Sequence, residues 1–324
     1  MAPLSRTFTD SPATRAMVPL FVGLVGPSGS GKTFSALRLA TGMQRISGGD
    51  IGGIDTEADR MLHYADNFKF RHLPFGSPFD PLSYLAAVEH FVKKGVKTII
   101  IDSASHMHEG PGGTLEAHET ELTRLAGNDY DKRNRMTMMA WQKPKAELRR
   151  FLNSILQLKA NVIFCFRAKE KIKIVSGQNP KPLGFMPIAG DEMFYEMTAS
   201  CLLYPNSGGV PSWNPTEMGE KAIIKLPGQF RALFKDGAPL SEATGEALAM
   251  WATGVSHTLP ASTAVHGTNH ELLELSTQLK ANGHRTTEAR IAWINQSLGL
   301  SILSATDLTP AQIARALEVA QGAA

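Results

Sequence analysis

The chain has 324 residues, 43% of them hydrophobic, and a formal net charge of +3. That is enough apolar material for one large core or a core with a small appended module, and the near-neutral balance does not by itself announce a nucleic-acid partner. No apolar stretch reaches the ~18 residues that a membrane span needs. Cys165 and Cys201 lie inside apolar runs without C-x-x-C spacing, so reduced core thiols are expected. The first residues carry Arg6 and Arg15 but also Asp10 and Pro12, with no apolar segment of signal-peptide type, which makes the cytosol the expected site of action.

Residues 1–17 are polar and contain proline, and a loose arm or oligomer contact is expected there. An apolar run at 18–25 predicts a strand. It leads into Gly26-Pro27-Ser28-Gly29-Ser30-Gly31-Lys32-Thr33, after which helical spacing begins at Phe34 and stops at Ser47-Gly48-Gly49. Residues 51–54 predict a short strand. Asp80-Pro81 has the pattern of a helix cap with proline at the first helical position, and Leu82, Leu85, Val88, Phe91 and Val92 supply the buried face behind it. The β-branched run at 98–101 reads as a strand buried on both faces of a parallel sheet. A helix over about 145–158 precedes another such run at 162–166.

Strands that alternate with helices imply right-handed crossovers and an α/β fold with a mainly parallel central sheet. Beyond Arg167, short apolar runs at 172–175, 201–204 and 222–226 predict hairpins or antiparallel strands that extend the sheet. A short helix ending at Trp251 closes a domain over 18–253. Residues 254–268, rich in Ser, Thr and Pro, read as a linker. Capping boxes at Thr268 and Thr309 and a glycine stop at Gly283 predict three short helices, a small all-helical module over 269–324.

The octapeptide from Gly26 to Thr33 matches G-x-x-x-x-G-K-[ST] between a strand and a helix. Backbone N–H groups of such a loop wrap an anionic phosphate, and the new helix aims its positive dipole end at the same point. Gly26, Pro27, Ser28, Gly29, Ser30, Gly31, Lys32, Thr33 and the following Phe34 are therefore candidate nucleotide contacts. Lys32 is expected to reach the β- and γ-phosphates, and the Thr33 hydroxyl to bind Mg²⁺. Asp102, at the tip of the 98–101 strand, is positioned to hold the Mg²⁺ water shell. Asp55-Thr56-Glu57 follows the second strand at the sheet edge where open α/β folds bind ligands, and Glu57 is the candidate base for an attacking water. Arg167 closes the strand at 162–166 and offers a planar cation to the γ-phosphate; Lys169, Lys171 and Lys173 are alternatives.

The order GPSGSGKT, GGIDTEADRMLHYAD, TIIIDSAS, VIFCFR resembles the RecA-type recombinase core, and in particular the bacteriophage and prophage RecA-like ATPases associated with single-strand annealing. The resemblance covers residues 18–251, with Leu226-Pro227-Gly228 and the segment from Gly245 to Trp251 also similar. It implies a RecA-like P-loop NTPase fold, ATP and Mg²⁺ as cofactors, a catalytic glutamate in the D-x-E segment, here Glu57, and a homo-oligomer whose site is completed across an interface by a basic residue such as Lys221 or Lys225. The wider family carries glutamine after the strand that here ends at Phe166; this chain has Arg167. The helical tail resembles the C-terminal modules of phage recombination proteins, for which a protein partner is expected.

Between Lys132 and Lys173 twelve Lys or Arg face only Glu147 and Glu170, a density suited to neutralising nucleic-acid phosphates. Trp141, Phe151 and Phe185 are candidates for base stacking, and the Gly- and Pro-rich loops at 105–113 and 176–190 for mobile DNA contacts. Ile46-Ser47-Gly48-Gly49-Asp50 is a helix terminator and not a transporter signature. His106, His108, Glu109, His118 and Glu119 lack the spacing of a defined metal site. The expected activity is a P-loop ATPase acting on single-stranded DNA in recombination or annealing. A helicase or DNA-packaging motor, a nucleotide-switched binding module, and a small-molecule kinase are the alternatives.

Overall fold

The computed structural model describes residues 10, 12, 13, 15, 18–173, 179–214, 217–254, 269–298, 308 and 310–321. They belong to two compact units, Met1–His257 and Thr258–Ala324. The arm residues 1–9, most of the linker, and the capping residues Thr268 and Thr309 lie outside the described residues.

The first unit begins with β1 (Phe21–Gly26), α1 (Lys32–Ser47) and β2 (Ile51–Asp55), then a 3-10 turn at Arg60–Tyr64. Next come β3 (Arg71–Pro74), α2 (Pro81–Lys93) and β4 (Thr98–Asp102), followed by α3 (His106–Glu109), α4 (Thr114–Ala126), α5 (Tyr130–Ala140) and α6 (Gln142–Ile155). The strands β5 (Asn161–Lys173), β6 (Lys181–Pro187) and β7 (Ala199–Leu202) flank α7 (Glu192–Tyr195), and α8 (Glu242–Ala252) ends the unit. The sheet runs β3-β2-β4-β5-β1-β7 with every neighbour parallel, while β6 pairs antiparallel with the outer part of β5.

Alternation along the central strands builds a core on each face. Ile99, Ile101, Val162, Phe164 and Phe166 point to one side and meet Val88 and Phe91 of α2 and Phe151 and Leu152 of α6. Val22, Leu24, Ile100, Ile163 and Cys165 point to the other and meet Leu37, Leu39 and Met43 of α1 and Leu248 of α8. Side chains two apart share a face, so a strand covered on both sides must be apolar throughout. Each such buried aliphatic or phenyl side chain contributes about 1.5–3 kcal/mol relative to exposure.

Local signals end the helices where expected. The Asp80 side chain accepts from the N–H groups of Leu82 and Ser83 at 3.0 and 2.9 Å, with Pro81 opening α2. Helices α1 and α8 cross with their backbones nearly touching: a Cβ on Gly42 would lie 1.9 Å from the Glu242 carbonyl oxygen, and one on Gly245 would lie 2.1 Å from that of Leu39. Arg38–Glu242 at 2.7 Å and Arg45–Glu246 at 2.6 Å flank this crossing.

Several expectations are corrected. The first two residues of the 201–204 run end β7, which is parallel to β1, because α7 intervenes and lets the chain return in the same direction. The 222–226 run contributes one antiparallel bridge, Ser200 to Lys225, after a 3-10 turn at Met218–Ala222. The loop at 105–113 contains α3, and the described part of 176–190 contains β6. Sequence reading missed α4 and α5, which bury little: Ala140 is the one buried residue of α5, and the pair shares a small cluster with Leu122 and Ala126. It missed β3 as well, an edge strand of half-exposed residues.

The second unit holds α9 (Asn269–Ala281), α10 (Thr287–Leu298) and α11 (Pro310–Ala320), the three helices expected. They close around Leu275, Leu279, Ile294, Ile313 and Ala316. No described helix is long and apolar enough to cross a membrane.

Candidate nucleotide-binding site

Register alone brings the candidate residues to one edge of the sheet. Gly26 at the end of β1 lies beside Arg167 of β5, Asp102 of β4 beside Cys165, and Asp55 of β2 beside Asp102. Parallel strands ending at the same level expose their terminal side chains along one crevice, which is where open α/β sheets bind ligands. Here the crevice is a cavity of about 450 Å³ whose lining includes Gly29, Lys32, Thr33, Glu57, Asp102 and Arg167.

The phosphate loop enters α1 through Gly29 and Gly31, whose φ angles are 76° and 88°, a region open to glycine at little cost. No side chain caps α1, so its first-turn N–H groups remain for an anion. Lys32 folds back along the loop and donates from Nζ to the carbonyl oxygens of Gly26 at 2.9 Å and Pro27 at 2.7 Å. Burial lowers its pKa, against the pull of Cys165, Asp102 and Glu57. Ser30 is buried, with a hydroxyl that has no hydrogen-bond partner.

Thr33 donates from Oγ1 to Asp102 Oδ2 at 2.5 Å. Burial pushes the Asp102 carboxyl up to about 6, with the Thr33 hydroxyl and Lys32 opposing that shift and Glu57 and Asp55 adding to it. A hydroxyl and a carboxylate in contact beside a phosphate loop are hard oxygen donors, the set that Mg²⁺ takes together with water and phosphate oxygens. The residues present therefore fit the cation.

Glu57 reaches the cleft from the loop after β2. Its Oε1 accepts from Arg167 Nε at 2.8 Å and its Oε2 from Arg60 Nη1 at 3.3 Å. The Arg167 backbone N–H is held by Ser105 Oγ at 2.8 Å. Thr56 Oγ1 accepts from the Ser103 N–H at 2.8 Å and lies 2.6 Å from His106 Nδ1, tying the β2 and β4 loops together. Burial, then Arg167, lowers the His106 pKa.

Of the two carboxylates expected after β2, Glu57 lines the cleft, whereas Asp55 is buried and does not border it. The Phe34 side chain also stays out of it, packing edge-on against Phe68 at 5.5 Å and near Tyr64 at 6.0 Å. Arg60, His63, Tyr64 and Glu109 line the cleft and were not foreseen. Their one sequence signal is adjacency to Glu57 and to the loop after Asp102. A larger cavity of about 920 Å³ opens near β7 between Tyr204, Trp213 and Phe234, but none of Lys32, Glu57, Asp102 or Arg167 lines it.

The basic run is distributed over α5, α6 and β5, and part of it is paired: Arg133 with Glu119, Lys145 with Glu192 at 3.7 Å, and Lys169 with Glu109 at 3.9 Å. Lys171 and Lys173 project from the exposed end of β5, opposite Gly184 and Lys181 of β6. The expected stacking aromatics differ in burial, with Trp141 and Phe185 half-buried and Phe151 in the core. Phe151 is fully buried, Trp141 stacks on His118 at 4.2 Å, and Phe185 meets Tyr204 at 5.9 Å.

No curated protein matches the chain. A family model described as AAA domain matches residues 19–201, more than half of the chain, and spans the phosphate loop, Glu57, Asp102 and Arg167. With its mainly parallel sheet and phosphate loop the first unit has the P-loop NTPase α/β fold, and the chain belongs to the AAA domain family.

Proposed function

We propose that the protein is an Mg²⁺-dependent ATPase that acts on single-stranded DNA in phage or prophage recombination or strand annealing. The observation that carries this reading is the convergence of Lys32, the Thr33–Asp102 pair, Glu57 and Arg167 on one crevice. Lys32 and the α1 N–H groups hold the phosphates, and Lys32 follows charge onto the β- and γ-oxygens as the bond to the leaving diphosphate lengthens. Glu57 orients the attacking water and accepts its proton, and Arg167 neutralises charge on the transferring phosphoryl group. Thr33 and Asp102 would hold Mg²⁺, which supplies charge neutralisation at the phosphate oxygens.

The link to DNA is argued from β5. The strand that carries Arg167 continues outward into the exposed lysines of the β5–β6 ribbon, so one rigid element joins the γ-phosphate position to a basic surface. Basic residues of this kind bind the backbone without reading sequence. An oligomer with Lys221 in trans belongs to the same reading; Lys221 is exposed, whereas Lys225 donates to the Tyr195 carbonyl of its own chain at 3.1 Å. The helical C-terminal unit is assigned a protein partner, and the cytosol is the proposed compartment.

The test is ATP turnover with and without single-stranded DNA, together with particle size in the presence of ATP. Turnover stimulated by DNA, and a Glu57→Gln variant that binds nucleotide without hydrolysing it, are the expected results. A nucleotide-switched binding module is the second reading, favoured by one observation: the Glu57 carboxylate is already occupied by Arg167 and Arg60. Absence of hydrolysis under both conditions would select it.

A further inference from the structure

We infer that Asp55 is a positioning residue for the reacting carboxylate: held by His72, it fixes the backbone at Glu57 and so aims the Glu57 side chain into the phosphate cleft. The inference rests on the role given to Glu57 under the proposed function.

Asp55 is the last paired residue of β2, between Asp102 of β4 and Pro74 of β3. One more backbone bond, from the Thr56 N–H to the Asp102 carbonyl at 2.8 Å, ties the chain to β4, and beyond it the chain leaves the sheet. Its side chain is 0% exposed, does not border the cleft and gathers three donors. Oδ1 accepts from the Glu57 N–H at 2.8 Å; Oδ2 accepts from the Met61 N–H at 2.9 Å and lies 3.1 Å from His72 Nε2. One carboxylate therefore closes both ends of the segment from Glu57 to Met61.

Within that segment Ala58 and Asp59 have φ of 54° and 63°, a conformation that non-glycine residues hold only when their surroundings enforce it. The closing bonds supply that enforcement at both ends, and the burial of Met61, 1% exposed, adds to it at the second. Arg60, the second partner of the Glu57 carboxylate, rides on the same closed segment. His72 is delivered by the edge strand β3, whose half-exposed residues bury little; what the strand adds at this point is an imidazole N–H aimed at Asp55.

The ligating atoms of Asp55, Asp59 and His72 lie within 4.8 Å of one another, a spacing compatible with a metal ion. Both Asp55 oxygens are already committed to backbone N–H groups, however, and the cluster works as a hydrogen-bond hub. Asp55 does not border the cleft, so its effect reaches the reaction only through Glu57.

The experiment measures ATP turnover, affinity for a fluorescent ATP analogue and melting temperature in the full chain carrying Asp55→Asn, His72→Leu, His72→Gln or Glu57→Gln. Asparagine offers one acceptor oxygen where aspartate has two, so it can serve the Glu57 N–H or the Met61 end but not both. Asp55→Asn is expected to lower kcat about tenfold to a hundredfold, as for a misplaced catalytic group, with analogue affinity and KM changed by no more than about twofold. His72→Leu should give a smaller loss of the same kind, and His72→Gln, whose amide can donate in place of Nε2, should restore turnover. Wild-type kcat in Asp55→Asn beside an inactive Glu57→Gln would overturn the inference while leaving the base assignment standing. Turnover that persists in Glu57→Gln would instead remove the base assignment and this inference with it. A parallel fall in affinity, kcat and melting temperature would make Asp55 merely structural. If Asp55→Asn does not fold, the His72 pair decides: equal kcat in the Leu and Gln variants overturns the inference.

Discussion

The two halves of β5 lie on one continuous strand and obey different rules. Residues 161–166 are buried at every position, sandwiched between α1 on one face of the sheet and α2 and α6 on the other. From Lys169 onward every residue is exposed, and β6 is the sole pairing partner among the described strands. Arg167 sits at the boundary, 37% exposed, with its guanidinium on Glu57. Burial on both faces demands apolar side chains in the inner half; the outer half is free to be chosen for charge. An arginine placed between them borders the crevice on one side and leads into the solvent-exposed ribbon on the other.

Substitutions along and beside this strand can break or sharpen that contrast. The largest effect is expected in the inner half. Phe164→Ala removes a fully buried phenyl ring and should cost about 3–5 kcal/mol in unfolding free energy, read by denaturant melts. At the boundary, Arg167→Ala should lower ATP turnover about 10²- to 10³-fold while the melting temperature barely moves, since a partly exposed ion pair adds little stability. A stable but inactive variant supports the boundary role; a destabilised one places Arg167 with the core.

Asp102, level with Cys165 of the inner half, should behave in the opposite sense. Its carboxyl is pushed up to about 6 from an ordinary 3.8, so ionising it destabilises the native state. Asp102→Asn should abolish turnover yet raise stability by roughly 1–3 kcal/mol in EDTA. Because the folded-state pKa is raised, that gain should be complete above pH about 6 and fade as pH falls toward 4, where Asp102 is protonated in both folded and unfolded chains. A gain that persists at pH 4 would mean that it comes from packing. The smallest effect belongs to the outer half. Lys171→Ala should leave the melting temperature unchanged and reduce the salt slope of single-stranded DNA binding by about 0.7. An unchanged slope would remove Lys171 from the contact surface.

How much was legible follows from the range of each signal. The phosphate loop, the strands at 18–25, 98–101 and 162–166, and the cap at Asp80-Pro81 were readable because periodicity, glycine placement and capping act over a few residues. Asp102 and Arg167 were legible as cleft-lining residues because each follows an apolar run directly, and Glu57 because it lies shortly after one. Helices α4 and α5 were missed because their apolar contacts are few, Leu122 and Ala126 of α4 and Ala140 of α5, and mark no long stripe. Phe151 was taken for a stacking residue, and it lies in the core because the face of α6 that it occupies meets α2.

The sequence by itself determined that this chain has a phosphate loop, buried parallel strands and acidic and basic groups at their tips, since these depend on neighbours in the chain. Only the tertiary structure decided that β5 lies between β1 and β4, that β7 is parallel to β1, and that Glu57 faces the cleft while Asp55 turns to His72. The physical reason is that strand order and register are set by long-range pairing and packing. An apolar run states that it will be buried, not beside which strand, and of two nearby carboxylates the one still paired in the sheet and the one on the loop beyond it meet different surroundings.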